Sequence, residues 1–147
     1  MMDDSERDMR EERLTMLLES LQLMAMPAAA QLAFFPPRWV ETAFELADYF
    51  IGAYRMVVGN HSGGLTAVQR RRLDLLHERL EVVVSEREVD YLCTEGALLG
   101  STEWQDLREL ARETLRSFGW PLEAPPKGRH RFIGPDGAFF PPYYGRP

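Results

Sequence analysis

The stretch from Trp39 to Val58 constrains the fold more than any other part of this chain, because its apolar and charged residues separate at helical spacing. The predicted apolar face carries Val40, Ala43, Phe44, Ala47, Phe50, Ile51, Tyr54 and Val58. The predicted polar face carries Glu41, Glu45, Asp48, Gly52 and Arg55. An apolar stripe that recurs every three or four residues is typical of an amphipathic helix. Because large aromatic rings lie within the stripe, we expect the other helices to pack around this one.

Three further segments, residues 1–26, 66–84 and 102–118, show the same helical spacing. Short helical turns are expected in the segment between them, at residues 85–100. A chain of 147 residues is one ordinary domain and is long enough to bury a core. The sequence therefore predicts an all-α fold, a compact bundle of about four main helices with short extra turns.

Local signals mark the ends of these helices. Pro27 stops the first helix, because the residue before a proline is pushed out of the helical region. Thr66 and Gln69 form a capping-box pair at the start of the third. Gly119 is placed to end the last helix in the left-handed conformation. The third helix is predicted to bury Val68, Leu73, Leu76, Leu80 and Val83.

Residues 27–38 are predicted to form a connection that is unusually apolar. It contains Leu32, Phe34 and Phe35. Two interpretations are open: these residues cover the core, or they form an exposed docking patch. We favour the cover, since large apolar side chains are usually buried.

After the helical domain at residues 1–120, residues 121–147 form a C-terminal arm rich in proline, glycine and aromatic residues. Proline excludes helix from most of it. Turn residues at 134–137 separate two short apolar runs and predict a small β-hairpin, which must pack on the helices or on a partner. Interfaces favour aromatic residues and arginine. The predicted partner-binding residues are Arg129, Arg131, Phe132, Phe139, Phe140, Tyr143, Tyr144 and Arg146.

The formal net charge of −6 disfavours nonspecific binding to nucleic acid, because affinity for phosphates comes mainly from lysine and arginine. An acidic surface suits a basic partner instead. The start of the sequence is acidic and has no signal-peptide pattern, no stretch is apolar enough to span a membrane, and Cys93 is the single cysteine. We expect a cytoplasmic protein without disulfides and without a membrane association.

Two groups of charged residues have spacings that are compatible with chemistry. Glu41, Glu45 and Asp48 form an acidic row that could bind a hard cation or share acid–base work. Asp74, His77 and Glu81 lie at steps of three and four, as in one half of a di-iron bundle site. The second half is missing from the sequence, and a solvated helix face is the ordinary interpretation of both groups. We therefore assign no cofactor.

Cys93 is a candidate nucleophile only if a histidine lies beside it. The candidates are His61, His77 and His130, but no local signature connects any of them with the thiol. A buried, inert cysteine is the simpler interpretation. The loop at residues 62–64 precedes a helix and could offer amides to an anion, but it lacks the lysine of a phosphate loop.

Three functions from different classes are compatible with these patterns. The leading hypothesis is a non-enzymatic protein-binding module, such as a small acidic bacterial immunity-type protein or an assembly subunit, which binds another, basic protein or a second copy of itself. The first alternative is a metal-binding or enzymatic bundle that uses the carboxylates and His77. The second is a nucleic-acid-associated regulator that uses Arg70, Arg71 and Arg72, although these splay around their helix.

Overall fold

The computed structural model describes residues 3–35, 41–85, 89–126, 132–133 and 139–140. Four long helices dominate these segments, which confirms the predicted all-α bundle. The long helices are α1 (Asp4–Ala25), α3 (Thr42–His61), α4 (Ala67–Val83) and α7 (Thr102–Phe118). The short helices are α2 (Ala28–Phe34), α5 (Val89–Leu92) and α6 (Glu95–Gly100), and a 3₁₀ turn spans Ser62–Gly64.

The four long helices form a ring. α1 packs between α3 and α7, α7 packs in turn on α4, and α4 closes the ring through a lighter contact with α3. The core inside the ring includes Leu17, Phe50, Leu76 and Trp104, all fully buried.

The most enclosed helix is the second half of α1, so the expectation that the others gather around residues 39–58 needs correction. Leu17, Leu21 and Met24 are fully buried, and Ser20 and Gln22 between them are also buried. The only charged residue from Leu17 to Ala25 is Glu19, and it is itself buried. α3 keeps Asp48 and Arg55 on its outer face and therefore needs solvent there.

The buried face of α3 is rotated from the predicted one. Its fully covered residues are Ala43, Leu46, Ala47, Phe50, Ala53 and Val57. Ile51, Tyr54 and Val58 lie at the margin and are half-buried. Of these, Tyr54 reaches α4, where its ring stacks on His77. Trp39 and Val40 lie outside the described residues.

The apolar connection is helical and covers the core. Phe34 ends α2 and is buried, as is Phe35, while Leu32 is half-buried. The cover interpretation is therefore confirmed for both phenylalanines. Gln31 in the same helix is also completely buried, which the apolar pattern of the segment did not indicate.

The helix-end predictions are confirmed by direct contacts. Thr66 and Gln69 form both hydrogen bonds of a capping box. Gly119 adopts a φ of 68° at the end of α7, and Trp120 beyond it stacks on Phe118 with ring centroids 4.2 Å apart. The burial of Val68 was predicted wrongly, since this side chain is 46% exposed.

The described part of the C-terminal arm contains one short β-pairing. Phe132–Ile133 (β1) runs antiparallel to Phe139–Phe140 (β2), with Phe132 opposite Phe140 and Ile133 opposite Phe139. Residues 134–138 lie outside the described part, so the turn expected there stays a prediction. The division between a helical domain at residues 1–120 and an arm at residues 121–147 also stays a prediction.

Candidate functional site

Polar side chains form a seam where α3 meets α4. The Tyr54 hydroxyl donates a hydrogen bond of 2.6 Å to Oδ1 of Asp74. Nε of Arg70, one turn before Asp74 on α4, donates to both carboxylate oxygens at 3.0 and 3.1 Å. The seam thus joins the two helices that pack most lightly in the ring through one shared carboxylate.

These contacts shift the pKa values of the seam in opposite directions. Burial, followed by the hydrogen bond to Asp74 and its charge, raises the pKa of Tyr54 to about 12. Burial alone would raise the pKa of Asp74, but the hydrogen bonds from Tyr54 and Arg70 and the nearby positive charge lower it. At neutral pH the seam therefore pairs a protonated phenol with an ionised carboxylate.

His77 and Glu81 extend the seam by one turn of α4. The imidazole stacks on Tyr54 with ring centroids 4.2 Å apart and an interplanar angle of 8°. Its Nε2 lies 3.1 Å from Oε1 of Glu81, which in turn lies 3.7 Å from Arg55. The approach of Nε2 lacks the geometry of a hydrogen bond, so it becomes an ion pair only when the imidazole is protonated.

The metal hypothesis for Asp74, His77 and Glu81 gains little from this geometry. Asp74 is already engaged by Arg70 and Tyr54, whereas Glu81 faces His77 and Arg55. In the segments that the structure describes, no three imidazole, thiol or carboxylate groups converge as metal ligands would. The arrangement is a set of polar contacts that connects α3 and α4.

The three consecutive arginines are distributed around α4. Arg70 binds Asp74, while Nη1 of Arg72 donates to Oε2 of Glu113 on α7 at 2.9 Å. Arg71 between them is exposed. The helical spacing predicted that the three guanidinium groups would not face one ligand, and the structure agrees with this.

A second polar group lies where the first half of α1 meets the end of α3. Nη1 of Arg13 lies 3.4 Å from Nε2 of His61, and the guanidinium of Arg10 packs directly on Gly64. Burial, followed by the positive charges of Arg13 and Arg10, lowers the pKa of His61. Glu6 and Asn60 line the same shallow cavity. His61 thus contacts Arg13 as a neutral imidazole and does not serve as a base for Cys93.

A cleft of about 450 Å³ opens between α2, the start of α3 and α6. Its apolar lining includes Leu32, Phe35 and Leu98, and its carboxylates are Glu41 and Glu95. Glu41 is the one member of the predicted acidic row that lines this cleft. Asp48 points to solvent, while burial and the charge of Asp48 raise the pKa of the half-buried Glu45.

Cys93 lines this cleft but is not activated there. Its sulfur lies 3.8 Å from the carbonyl oxygen of Val83. Burial, followed by the charge of Glu41, raises the pKa of the thiol. Because the thiolate is the nucleophile, this environment favours the inert cysteine of the simpler interpretation. Neither described histidine contacts it, since His61 meets Arg13 and His77 stacks on Tyr54.

Beside the cleft, α5 and α6 present large apolar side chains to solvent. Tyr91 is 74% exposed and Leu99 is 49% exposed. Exposed acids are close to both in the sequence: Asp90 is next to Tyr91 on α5, and Glu95 is four residues before Leu99 on α6. We call this set, Asp90, Tyr91, Glu95 and Leu99, the α5–α6 face. Sequence reasoning missed it because helices of four and six residues carry too few positions for a periodic pattern.

Hydrogen bonds from the core and at the helix starts hold the backbone of the α5–α6 face. Nε1 of the fully buried Trp104 donates a hydrogen bond of 2.6 Å to the carbonyl oxygen of Leu92. The Thr94 side chain caps α6 through the amide of Ala97, and Ser101 caps α7 through the amide of Trp104. The exposed side chains therefore extend from a backbone that is anchored in the core.

The predicted partner-binding residues of the arm are only partly described. Phe132, Phe139 and Phe140 take part in the β-pairing through their backbones. The others lie outside the described residues: Arg129, Arg131, Tyr143, Tyr144 and Arg146. Their role stays a prediction.

Comparisons of the chain with protein-family models, curated proteins and solved structures give no match. Among the described helices, none is both long and apolar enough to cross a membrane.

Proposed function

We propose that this protein is a non-enzymatic protein-binding module whose α5–α6 face docks a basic protein. The observation that carries the proposal is Tyr91, which is 74% exposed on a helix whose last carbonyl is held by Trp104. Interfaces concentrate their binding energy in a few residues, and tyrosine is among those enriched there. Because the backbone next to Tyr91 is anchored, binding has to fix only the side-chain torsions of the tyrosine.

The charge around Tyr91 supports the choice of a basic partner. Asp90 directly precedes Tyr91 in the sequence and Glu95 follows it by four residues, both are exposed, and Glu41 lines the same cleft as Glu95. Complementary charges steer association and select against partners of the same sign. An immunity-type protein that neutralises a basic toxin is one concrete form of this function, and an assembly subunit is another.

The C-terminal arm is proposed to add contacts to the same kind of interface. Its aromatic and arginine residues, including Tyr143, Tyr144 and Arg146, are of the types that interface hot spots favour. A variant without residues 127–147 keeps the sequence of every described helix, and circular dichroism of this variant verifies that the helices form. Comparing its binding with that of the whole chain separates the contribution of the arm from that of the α5–α6 face.

The experiment compares proteins captured from native cell extract by the immobilised full-length chain and by its Tyr91→Ala variant. Met56→Ala is the matched control, because Met56 is also a large exposed apolar residue but lies on α3. We expect a basic protein that the wild type and the control retain and Tyr91→Ala loses. The same captured proteins on all three samples would contradict the proposal.

The metal-binding alternative has its own test. Elemental analysis of the purified protein, before and after incubation with iron, manganese or zinc salts, measures whether any metal is retained. Stoichiometric metal that is lost in an Asp74→Asn, His77→Ala variant would favour that alternative over the docking function.

A further inference from the structure

The outer face of α4 carries an apolar stripe that is exposed at both ends and half-buried at its centre. Val68, Leu75 and Val82 follow one another at steps of seven residues and therefore lie on one line along the helix. Val68 is 46% exposed, Val82 is 61% exposed and Leu75 is half-buried. This line faces away from the core, which α4 meets through Leu73, Leu76, Leu80 and Val83.

Two unpaired charges lie within the same stripe. Arg71 and Glu78 are both exposed, and neither forms an ion pair within the described part of the chain. Both line a shallow groove together with Val68 and Leu75. The other charged residues of this groove are already engaged inside the molecule, Arg72 by Glu113 and Asp74 by Arg70. We call Val68, Arg71, Leu75, Glu78 and Val82 the α4 stripe.

The α4 stripe of one copy is complementary to the α4 stripe of a second copy that runs antiparallel to it. Val68 and Val82 are equally distant from Leu75, seven residues on either side. Arg71 lies four residues before Leu75 and Glu78 lies three residues after it. With a rise of about 1.5 Å per residue, a two-fold axis at Leu75 brings Arg71 of one copy within about 1.5 Å, along the axis, of the level of Glu78 in the other.

We propose that two copies of this chain associate by antiparallel packing of their α4 stripes. Leu75 packs on its symmetry mate, each Val68 packs on the opposite Val82, and two symmetric Arg71–Glu78 pairs close over them. Such a two-fold interface uses the same patch on both copies, as closed dimers do. A parallel pairing would instead place Arg71 against Arg71 and Glu78 against Glu78, so the charges select the antiparallel arrangement.

The interface is small, and this determines how the dimer behaves. Three apolar side chains from each copy bury less surface than a stable obligate dimer requires. The association therefore depends on protein concentration and weakens as salt screens the exposed ion pairs. It uses a different helix from the α5–α6 face, so it adds self-association to the proposed docking function and does not depend on it.

Charge reversal tests the proposal on the full-length protein by analytical ultracentrifugation over a range of concentrations. Arg71→Glu and Glu78→Arg each convert both symmetric pairs into repulsive ones, and each is expected to weaken dimerisation about tenfold. The double variant Arg71→Glu, Glu78→Arg restores attraction and is expected to dimerise like the wild type. Arg79→Glu is the control, because Arg79 is exposed on the same helix but does not line the groove.

A mixture of the two single variants provides a second readout. Each copy then meets the opposite charge on its partner, so the mixture should dimerise more strongly than either variant does alone. Circular dichroism of every variant verifies that α4 remains folded. A wild type that stays monomeric at high concentration, or a double variant and a mixture that both fail to recover, would overturn the proposal. Either result leaves the capture experiment on Tyr91 unaffected.

Discussion

Nη1 of Arg108 on α7 donates a hydrogen bond of 3.0 Å to Oε1 of Gln31 on α2, and both side chains are buried. The amide nitrogen of Gln31 donates in turn to the carbonyl oxygens of Leu23 and Met24 at 3.1 and 2.9 Å. These carbonyls belong to the last turn of α1, which carries partial negative charge, and the Leu23 carbonyl also accepts from the amide of Met26 at 3.3 Å. Gln31 therefore connects three helices, and burial lowers the pKa of Arg108 without a carboxylate in this contact.

Replacing Gln31 with leucine is expected to lower the free energy of unfolding by about 3 kcal/mol. The substitution leaves the guanidinium of Arg108 and the two carbonyls of α1 without this partner in a dry environment. Arg108→Met should cost less, because it removes the buried charge and keeps the Gln31 bonds to α1. Urea unfolding of both variants measures the difference. A larger cost for Arg108→Met would show that the arginine stabilises α7 through other contacts.

Two glycine-to-alanine substitutions should shift stability in opposite directions. Gly119 has a φ of 68°, so alanine there is strained and should cost about 1–2 kcal/mol. Gly52 lies inside α3, and a β-carbon at that position would meet no atom within 4 Å. Alanine at Gly52 should therefore stabilise the protein by about 0.5–1 kcal/mol. Thermal unfolding of the pair is the measurement, and shifts of equal sign would refute the assignment of these two backbone conformations.

The Tyr54–Asp74 hydrogen bond predicts a pH dependence at both ends of the scale. Tyr54 keeps its proton up to about pH 12 in the folded state, against an ordinary pKa of 10.0. The folded chain thus binds more protons in this interval, so stability falls as the pH rises from about 10 to about 12. The pKa of Asp74 is lowered below its ordinary 3.8, so its contribution is present above that pH and is lost as the pH falls below it.

Tyr54→Phe tests this dependence, since it removes the phenol and keeps the ring that stacks on His77. The variant should lose the Tyr54 contribution to the alkaline decrease and show a smaller acid decrease. Tyr91→Phe is the control, because Tyr91 is mostly exposed and lies on α5. Unfolding midpoints measured across the pH range provide the comparison. An unchanged alkaline profile for Tyr54→Phe would contradict the assigned hydrogen bond.

The helices and their ends could be predicted from the sequence because their signals are local. The Thr66–Gln69 capping box spans three residues, and Gly119 takes its left-handed conformation immediately after the last turn of α7. Such interactions form between residues that are close along the chain, and they do not depend on how the rest of the chain packs. The burial of Phe34 and Phe35 could be predicted for a related reason, since large apolar side chains have few alternatives to a core.

The candidate surfaces could not be predicted in the same way. The predicted core face of α4 held Val68, Leu73, Leu76, Leu80 and Val83, and the last four are buried. Val68 instead lies outside with Leu75 and Val82. Tyr91 belongs to a helix of four residues, which is too short for a periodic signal. In both cases exposure depends on where a distant segment packs, and this information is not contained in neighbouring residues.

The sequence by itself determined that the chain is helical, where its long helices end and that its body is acidic. Only the tertiary structure decided which helix is enclosed and which polar groups are buried. The second half of α1 replaced residues 39–58 at the centre because its single charged residue, Glu19, is itself buried, whereas α3 must keep Asp48 and Arg55 in water. Gln31 and Arg108 are separated by many residues along the chain, and only the packing of α2 between α1 and α7 provides their hydrogen bonds.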